Sequence, residues 1–391
     1  MKYDFNEHVD RLQTGSVKWD EVENLFGDKE ILPMWVADMD FKSPQPVIDA
    51  LRERAEHGIY GYTTRPNSYY EATIGWMKRR HNWDIEKDWI CYSPGVVPAL
   101  SIIVNTFTQP GDKIIVQPPV YYPFMNVIKN NGREIVHNPL KLQQNQYVMD
   151  FDDLKSKLDP SVKMIILSSP HNPVGRVWTK AELQTLGEIC AEHNVLVVSD
   201  EIHFDLVYKG NVHTPFAAIS ESFAHNSITC TAPSKTFNLA GMQTSNIIIP
   251  NEDLRNRFNK SMENLALGLT NTFGVTALVS AYEQGDDWLD HLLDYLKGNL
   301  EFLTKYIEEN IPKIKVIQPE ATYLVWLDCR GLGISAKELE QLTQKQAKVA
   351  LDEGYIFGIE GEGFTRINIA CPRKLLEEGL FRLSKAISNL K

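Results

Sequence analysis

The chain has 391 residues, 43% of them hydrophobic, enough to bury a large core and to build two domains. A formal net charge of -11, with no basic stretch standing against it, excludes a nucleic-acid partner. The five cysteines (Cys91, Cys190, Cys230, Cys329 and Cys371) are odd in number and scattered without C-x-x-C spacing, which excludes a disulfide framework and fits a reducing compartment.

The N-terminal MKYDFNEHVDRL has no apolar run of signal-peptide type, and no segment has the apolar length that a bilayer span requires. A cytoplasmic protein without membrane contact is expected. Residues 1–45 read as an arm ending in ILPMWVADMDF, Ile31 to Phe41, which crowds aromatic and acidic residues into a pocket wall. Pro46 to His57 follows helical spacing, and Gly58 closes it. After the IYGYTTRP turn, with Tyr60 and Tyr62, a second helix is predicted over Tyr69 to Arg80.

Short apolar strands then alternate with amphipathic helices: Lys113 to Gln117, Lys163 to Leu167, Val195 to Val198, Ile228 to Thr231 and Asn246 to Ile249, with Lys180 to His193 among the helices. That alternation predicts an α/β fold built on a mainly parallel sheet, with ligands beyond the carboxyl ends of its strands. From Val275 the pattern turns helical (Val275 to Gln284, Trp288 to Asn310). A strand follows around 316–328, then a helix near Ala336 to Glu353, then RINIA at 366. The expected organisation is an arm (1–45), a large domain (46–287) and a smaller α+β domain (288–391).

The strand ends carry the chemistry. Gly95, with Ser93 and Pro94, opens an apolar helix at Val96 and Val97, and a helix N-terminus offers free N–H groups to a phosphate. Tyr121, or its neighbour Tyr122, can stack on a flat ring. Asn172 in PHNPVG can donate to a ring oxygen, although N-P is also a common turn dipeptide. Asp200 closes a strand in SDEIHFD, where a carboxylate can keep a pyridine nitrogen protonated and make its ring an electron sink. Lys235 lies in TAPSKTF between two core strands. A lysine is seldom fully buried unpartnered, and a Schiff base resolves the conflict. Metal binding by Asp200, Glu201, His203 and Asp205 is disfavoured, because no H-x-x-x-H or cysteine pair accompanies them. Gly361 and Gly363 in GIEGEGF neither follow a buried strand nor open a helix, so they are not a dinucleotide fingerprint.

Taken in order, phosphate turn, aromatic, Asn, Asp and Lys resemble the aspartate-aminotransferase-like, fold type I pyridoxal-phosphate enzymes over almost the whole chain. The longer runs TGSVKWD, PMWVADMDF, GYTTRP, SPGVV, PPVYYPF, PHNPVGRVW, SDEIHFDL and APSKTFNLAGMQ are similar to the bacterial cystathionine β-lyase and cysteine-S-conjugate β-lyase group. The resemblance implies pyridoxal 5'-phosphate on Lys235, Asp200 at the ring nitrogen, Asn172 at the phenolic oxygen and Tyr121 on the ring face. It implies Val96, Val97, Gly95 and Ser234 at the phosphate, and Tyr62 reaching the phosphate of a neighbouring subunit, so that a homodimer shares its active sites. Arg366 is then the clamp for the substrate α-carboxylate, with Arg373 as the alternative, and Trp35, Ala37, Asp38 and Tyr121 form the side-chain pocket. Two positions depart from the wider aminotransferase pattern and match the lyase group. Gln243 stands where a phosphate-binding arginine is usual, and His203, counted with the cofactor residues, stands where a tyrosine is usual. The implied reaction is β-elimination from an L-cysteine thioether, with a transaminase on the same fold or a regulatory binding protein as rivals.

Overall fold

Continuous apolar runs such as Met164 to Leu167 and Leu196 to Val198 suit strands covered on both faces, and here they form the centre of a seven-stranded sheet. The computed structural model describes residues 3–390. Across the sheet the order is Ile90–Ser93, Ser245–Ile248, Ser227–Thr231, Leu196–Asp200, Val162–Ser168, Lys113–Val116 and Glu134–His137. Ser245–Ile248 runs antiparallel to both neighbours, and the other pairings are parallel.

Alternation of side chains along each strand divides the core in two. Ile114, Val116, Met164, Ile166 and Val198 pack on the face covered by the helix Val96–Phe107. Ile115, Ile165, Leu167 and Val197 face the helix Lys180–Glu192. That second helix starts on a complete capping box: Thr179 Oγ1 accepts from the Glu182 amide, and the Glu182 carboxylate accepts from the Thr179 amide.

A second, four-stranded antiparallel sheet orders Lys315–Ile317, Leu324–Asp328, Phe364–Asn368 and Asp352–Glu353. The N-terminal arm joins this region, because Leu32–Pro33 pairs in parallel with Val349–Ala350. Two expectations need correction here. The strand expected around 316–328 is two strands, reversed through a turn in which Thr322 has φ +73°. The helix expected from Ala336 to Glu353 stops at Gln341 and passes through one wider turn, Leu342–Gln346. Lys348 then adopts φ +53°, and the V-A-L run behind it pairs as strand, since buried β-branched and apolar residues fill a sheet face better than they extend that helix. The strand expected over Asn246 to Ile249 is present as Ser245–Ile248 and is the one reversed member of the mainly parallel sheet.

Elements unmarked in the sequence reading include the edge strand Glu134–His137 and the helices Glu252–Asn264 and Arg373–Ser388. Among the described residues no helix is long and apolar enough to cross a membrane.

Candidate active site

Six strands of the large sheet run in one direction and end at one edge, and the reversed strand begins there. The loops beyond Ser93, Val116, Ser168, Asp200 and Thr231, with Gln243 to Ser245, therefore meet over that edge. They enclose a cavity of about 200 Å³ lined by Gly95, Val96, Val97, Tyr121, Asn172, Asp200, His203, Ser234, Lys235, Gln243 and Ala37. Register fixes the floor: Ser168 lies opposite Asp200, and Asp200 opposite Cys230.

Lys235 rides on the single helical turn Pro233–Thr236 directly after Thr231. Thr236 anchors that turn through its Oγ1, which donates to Asp205 Oδ2 at 2.7 Å, and the Lys235 Nζ donates to Ala37 O at 2.7 Å. Burial brings the lysine down to about 8, against Asp38 and Asp200, which favour its ammonium, and with Arg366, which disfavours it. Asp200 is 5% exposed. Burial pushes its carboxyl up to about 7, against the Ile202 amide, which donates to Oδ1 at 3.1 Å, and the Lys235 charge.

His203 is held neutral, well below the usual histidine range, first by burial and then by the positive charges of Lys235 and Arg366; its Nδ1 is buried with no partner among the described residues. At the other end of the cavity, the helix Val96–Phe107 starts at Gly95 with no side-chain cap and no acidic residue in its first turn, which leaves its first N–H groups free for an anion. Between the two ends, Tyr121 lines the cavity while Tyr122 turns toward Phe357, with ring centroids 6.2 Å apart. That resolves the choice between the two tyrosines as to position.

Arg366 lies just behind the cavity on Phe364–Asn368, 3% exposed. Its Nη1 donates to Asn172 Oδ1 at 2.8 Å and its Nη2 to Trp35 O at 3.1 Å; Asp352, its antiparallel partner in register, forms a close ion pair with it. Arg373, by contrast, donates to Asn299 Oδ1 at 2.8 Å and stacks over Phe302, away from the cavity lining.

Not every expected residue reaches the cavity. Trp35 contributes its carbonyl to Arg366 while its ring packs edge-on against Phe26, and Asp38 is occupied by a forked pair with Arg11 at 2.7 and 3.0 Å. Tyr62 is 95% exposed in the single chain. Glu201 and Asp205, weighed as metal ligands from the sequence, are spoken for: Glu201 takes Ser199, the Phe216 amide and His213, and Asp205 takes Trp76, Thr236 and His81.

Residues unmarked by the sequence reading complete the site. Asp352 is separated from Arg366 by 14 positions and meets it only through sheet register. Tyr323 donates through its hydroxyl to Ala37 O at 2.9 Å. Thr244 and Ser245 enter the lining because their strand runs backward.

Over 385 residues the chain is 49% identical to cystathionine beta-lyase PatB of Bacillus subtilis (strain 168), covering 98% of this chain and 100% of that one. Its structure is similar to that of cystalysin from Treponema denticola, which contains a pyridoxal 5'-phosphate cofactor, with TM-score 0.97 and 43% identity over 100% of both chains. It is also similar to the pyridoxal-phosphate-bound C-S lyase of Staphylococcus hominis, with TM-score 0.93 and 36% identity over 98% of each chain. Residues 29–383 match aminotransferase class I and II, and with that match and these relatives the chain belongs to that family of pyridoxal-phosphate enzymes.

Proposed function

We propose that the protein is a pyridoxal-phosphate-dependent carbon-sulfur β-lyase, cleaving L-cystathionine or another L-cysteine S-conjugate to a thiol, pyruvate and ammonia. The observation that carries this reading is one cavity holding a lysine amine brought down to about 8, a buried carboxylate and an uncapped helix N-terminus. Those groups fit the cofactor. Asp200, costly as a bare buried anion, gains a cationic partner in a protonated ring nitrogen, and the free N–H groups at Val96 and Val97 gain a phosphate. Lys235 supplies the amine for covalent attachment, Asn172 and His203 stand as partners for the phenolic oxygen, Tyr121 offers a ring face, and Ser234 adds a hydroxyl at the phosphate end.

Pyridoxal phosphate, when bound, supplies the electron sink that lets a Cα proton leave and a Cβ substituent depart. The chain supplies the rest. Lys235 Nζ, neutral in a large fraction of molecules near its midpoint of about 8, takes the Cα proton. Asp200 keeps positive charge at the ring nitrogen. Arg366 orients the α-carboxylate through the N–H bonds that its seat leaves free at Nε and Nη1, and Asn172 ties that guanidinium to the cofactor's position. A thiolate leaves without a strong acid, so no dedicated proton donor is required at sulfur.

Gln243, in place of a phosphate-binding arginine, and neutral His203 favour elimination over transamination, since both match the lyase group rather than the wider family. We further infer a cytoplasmic homodimer in which Tyr62 serves the partner's site. Supporting it, Ile59, Tyr60, Tyr62, Leu265 and Leu269 are all more than half exposed, on two loops bridged at Thr63 and Thr270, an apolar patch of the kind that marks an interface. The Lys235→Ala protein should fold and lose lyase turnover; full activity in that variant would remove the mechanism.

A further inference from the structure

One oxygen beside the reacting lysine is shared. Ala37 O accepts from Lys235 Nζ at 2.7 Å and from the Tyr323 hydroxyl at 2.9 Å. Tyr323 is fully buried at the start of Leu324–Asp328, and its ring meets His203 edge-on with centroids 6.2 Å apart. The carbonyl itself is held still. Asn368 Nδ2 donates to Val36 O and to Asp38 O, each at 2.6 Å, and Arg11 grips the Asp38 carboxylate. Asp40, the next acid along the chain, takes Arg11, the buried Lys18 and the Trp19 indole.

A carbonyl oxygen has two lone pairs, and a hydroxyl proton on one of them makes the oxygen less negative toward a cation at the other. We propose that Tyr323 is a positioning residue for Lys235, occupying one side of Ala37 O so that the amine is held in a single place yet only weakly stabilised as an ammonium. This rests on the reading of Lys235 as the cofactor lysine. The groups facing the amine are Asp38 from the arm and Asp200 from its strand, which favour charge, and Arg366, which opposes it. His203 and Tyr121, also at the cavity, stay neutral near pH 8. Removing the Tyr323 hydroxyl leaves all of these in place and returns the freed lone pair to the ammonium.

The test uses protein stripped of cofactor and measures, at a series of pH values, the rate at which added pyridoxal phosphate is covalently captured, trapped with borohydride and read as a mass increase. Only the neutral amine attacks, so the rate reports its titration. Tyr323→Phe keeps the ring packing and should match the parent rate at high pH, with the midpoint raised by about half to one unit, the size of one ordinary hydrogen bond. Well below the midpoint its capture is then about three- to tenfold slower. Tyr208→Phe, which removes a buried hydroxyl with no partner among the described residues, should leave the midpoint where it was. An unmoved midpoint in Tyr323→Phe, or capture reduced equally at every pH, overturns the proposal, the second because it marks a packing role alone. Lys235→Ala separates the two readings: capture that persists in this variant refutes Lys235 as the cofactor lysine, whereas its loss together with an unmoved Tyr323→Phe midpoint refutes only the role of Tyr323.

Discussion

Arg366 Nη1 donates to Asn172 Oδ1 at 2.8 Å, joining side chains 194 positions apart. The contact connects the strand of the small sheet that carries the guanidinium to the loop that closes the cavity over the large sheet. Trp35 O, Asp352 and the face of Phe357, 4.9 Å from the guanidinium carbon, complete a rigid seat. A group so placed can present its remaining N–H bonds to a carboxylate with little loss of freedom. Arg366→Lys keeps the charge and loses the fork. One lost charge-assisted bond is worth about 1.5–3 kcal/mol, so KM for the amino-acid substrate should rise about 10- to 150-fold. Steady-state kinetics with an unchanged KM would assign the carboxylate to another residue.

Asp352 is the counter-ion of that guanidinium, and burial raises its carboxyl despite the arginine beside it. Truncating one member of a buried pair leaves the other charge uncompensated. Asp352→Ala should therefore lower unfolding free energy by about 3–5 kcal/mol, and Asp352→Asn, which retains a hydrogen-bond acceptor, by less. Denaturant titration checks the order. Equal stability of the parent and Asp352→Ala would show that the pair contributes nothing.

Asp200 gives the protein without cofactor a pH signature. Its native carboxyl titrates near about 7, while the unfolded chain releases the same proton near 3.8. The native state thus binds more protons between these values, and stability from this group, complete below 3.8, is lost as pH rises to about 7. The shift corresponds to about 4 kcal/mol. Cofactor-free Asp200→Asn should gain stability over the parent progressively from pH 4 to pH 7 and hold a constant lead above that. A difference independent of pH would contradict the buried-carboxylate account.

Tyr62, almost wholly exposed in one chain, has a use if a second copy brings it to the phosphate. Sedimentation should give a dimer. Tyr62→Phe, losing one bond to an anion, should weaken cofactor affinity about 10- to 150-fold without dissociating the subunits. A monomeric protein, or undiminished cofactor affinity in the variant, would place that tyrosine outside the site.

The sequence made the large sheet and much of its cavity legible because Gly95, Tyr121, Asn172, Asp200 and Lys235 each follow a short apolar run, and strand ends are where α/β sheets place ligands. Gly95, Asn172, Asp200 and Lys235 could be ordered this way before any distance was known. Asp352 could not, since its pairing with Arg366 depends on antiparallel register in a sheet whose strands are two to five residues long. Tyr323 was hidden for a related reason. The run KVIQPEATYLVWLD reads as one strand, yet the left-handed turn at Thr322 folds it back and aims Tyr323 at Ala37. Trp35 and Asp38 show the converse: they sit in the right segment, and the backbone of that segment rather than their side chains meets Lys235 and Arg366.

The most direct test mixes the purified protein and pyridoxal phosphate with L-cystathionine, no keto acid being present, and follows pyruvate and free thiol together. Continuing release of the two in equal amounts is expected of a β-lyase built on Lys235 and Asp200. Release of neither, with turnover appearing only once a keto acid is added, would make the protein an aminotransferase and would contradict the significance given to Gln243 and His203.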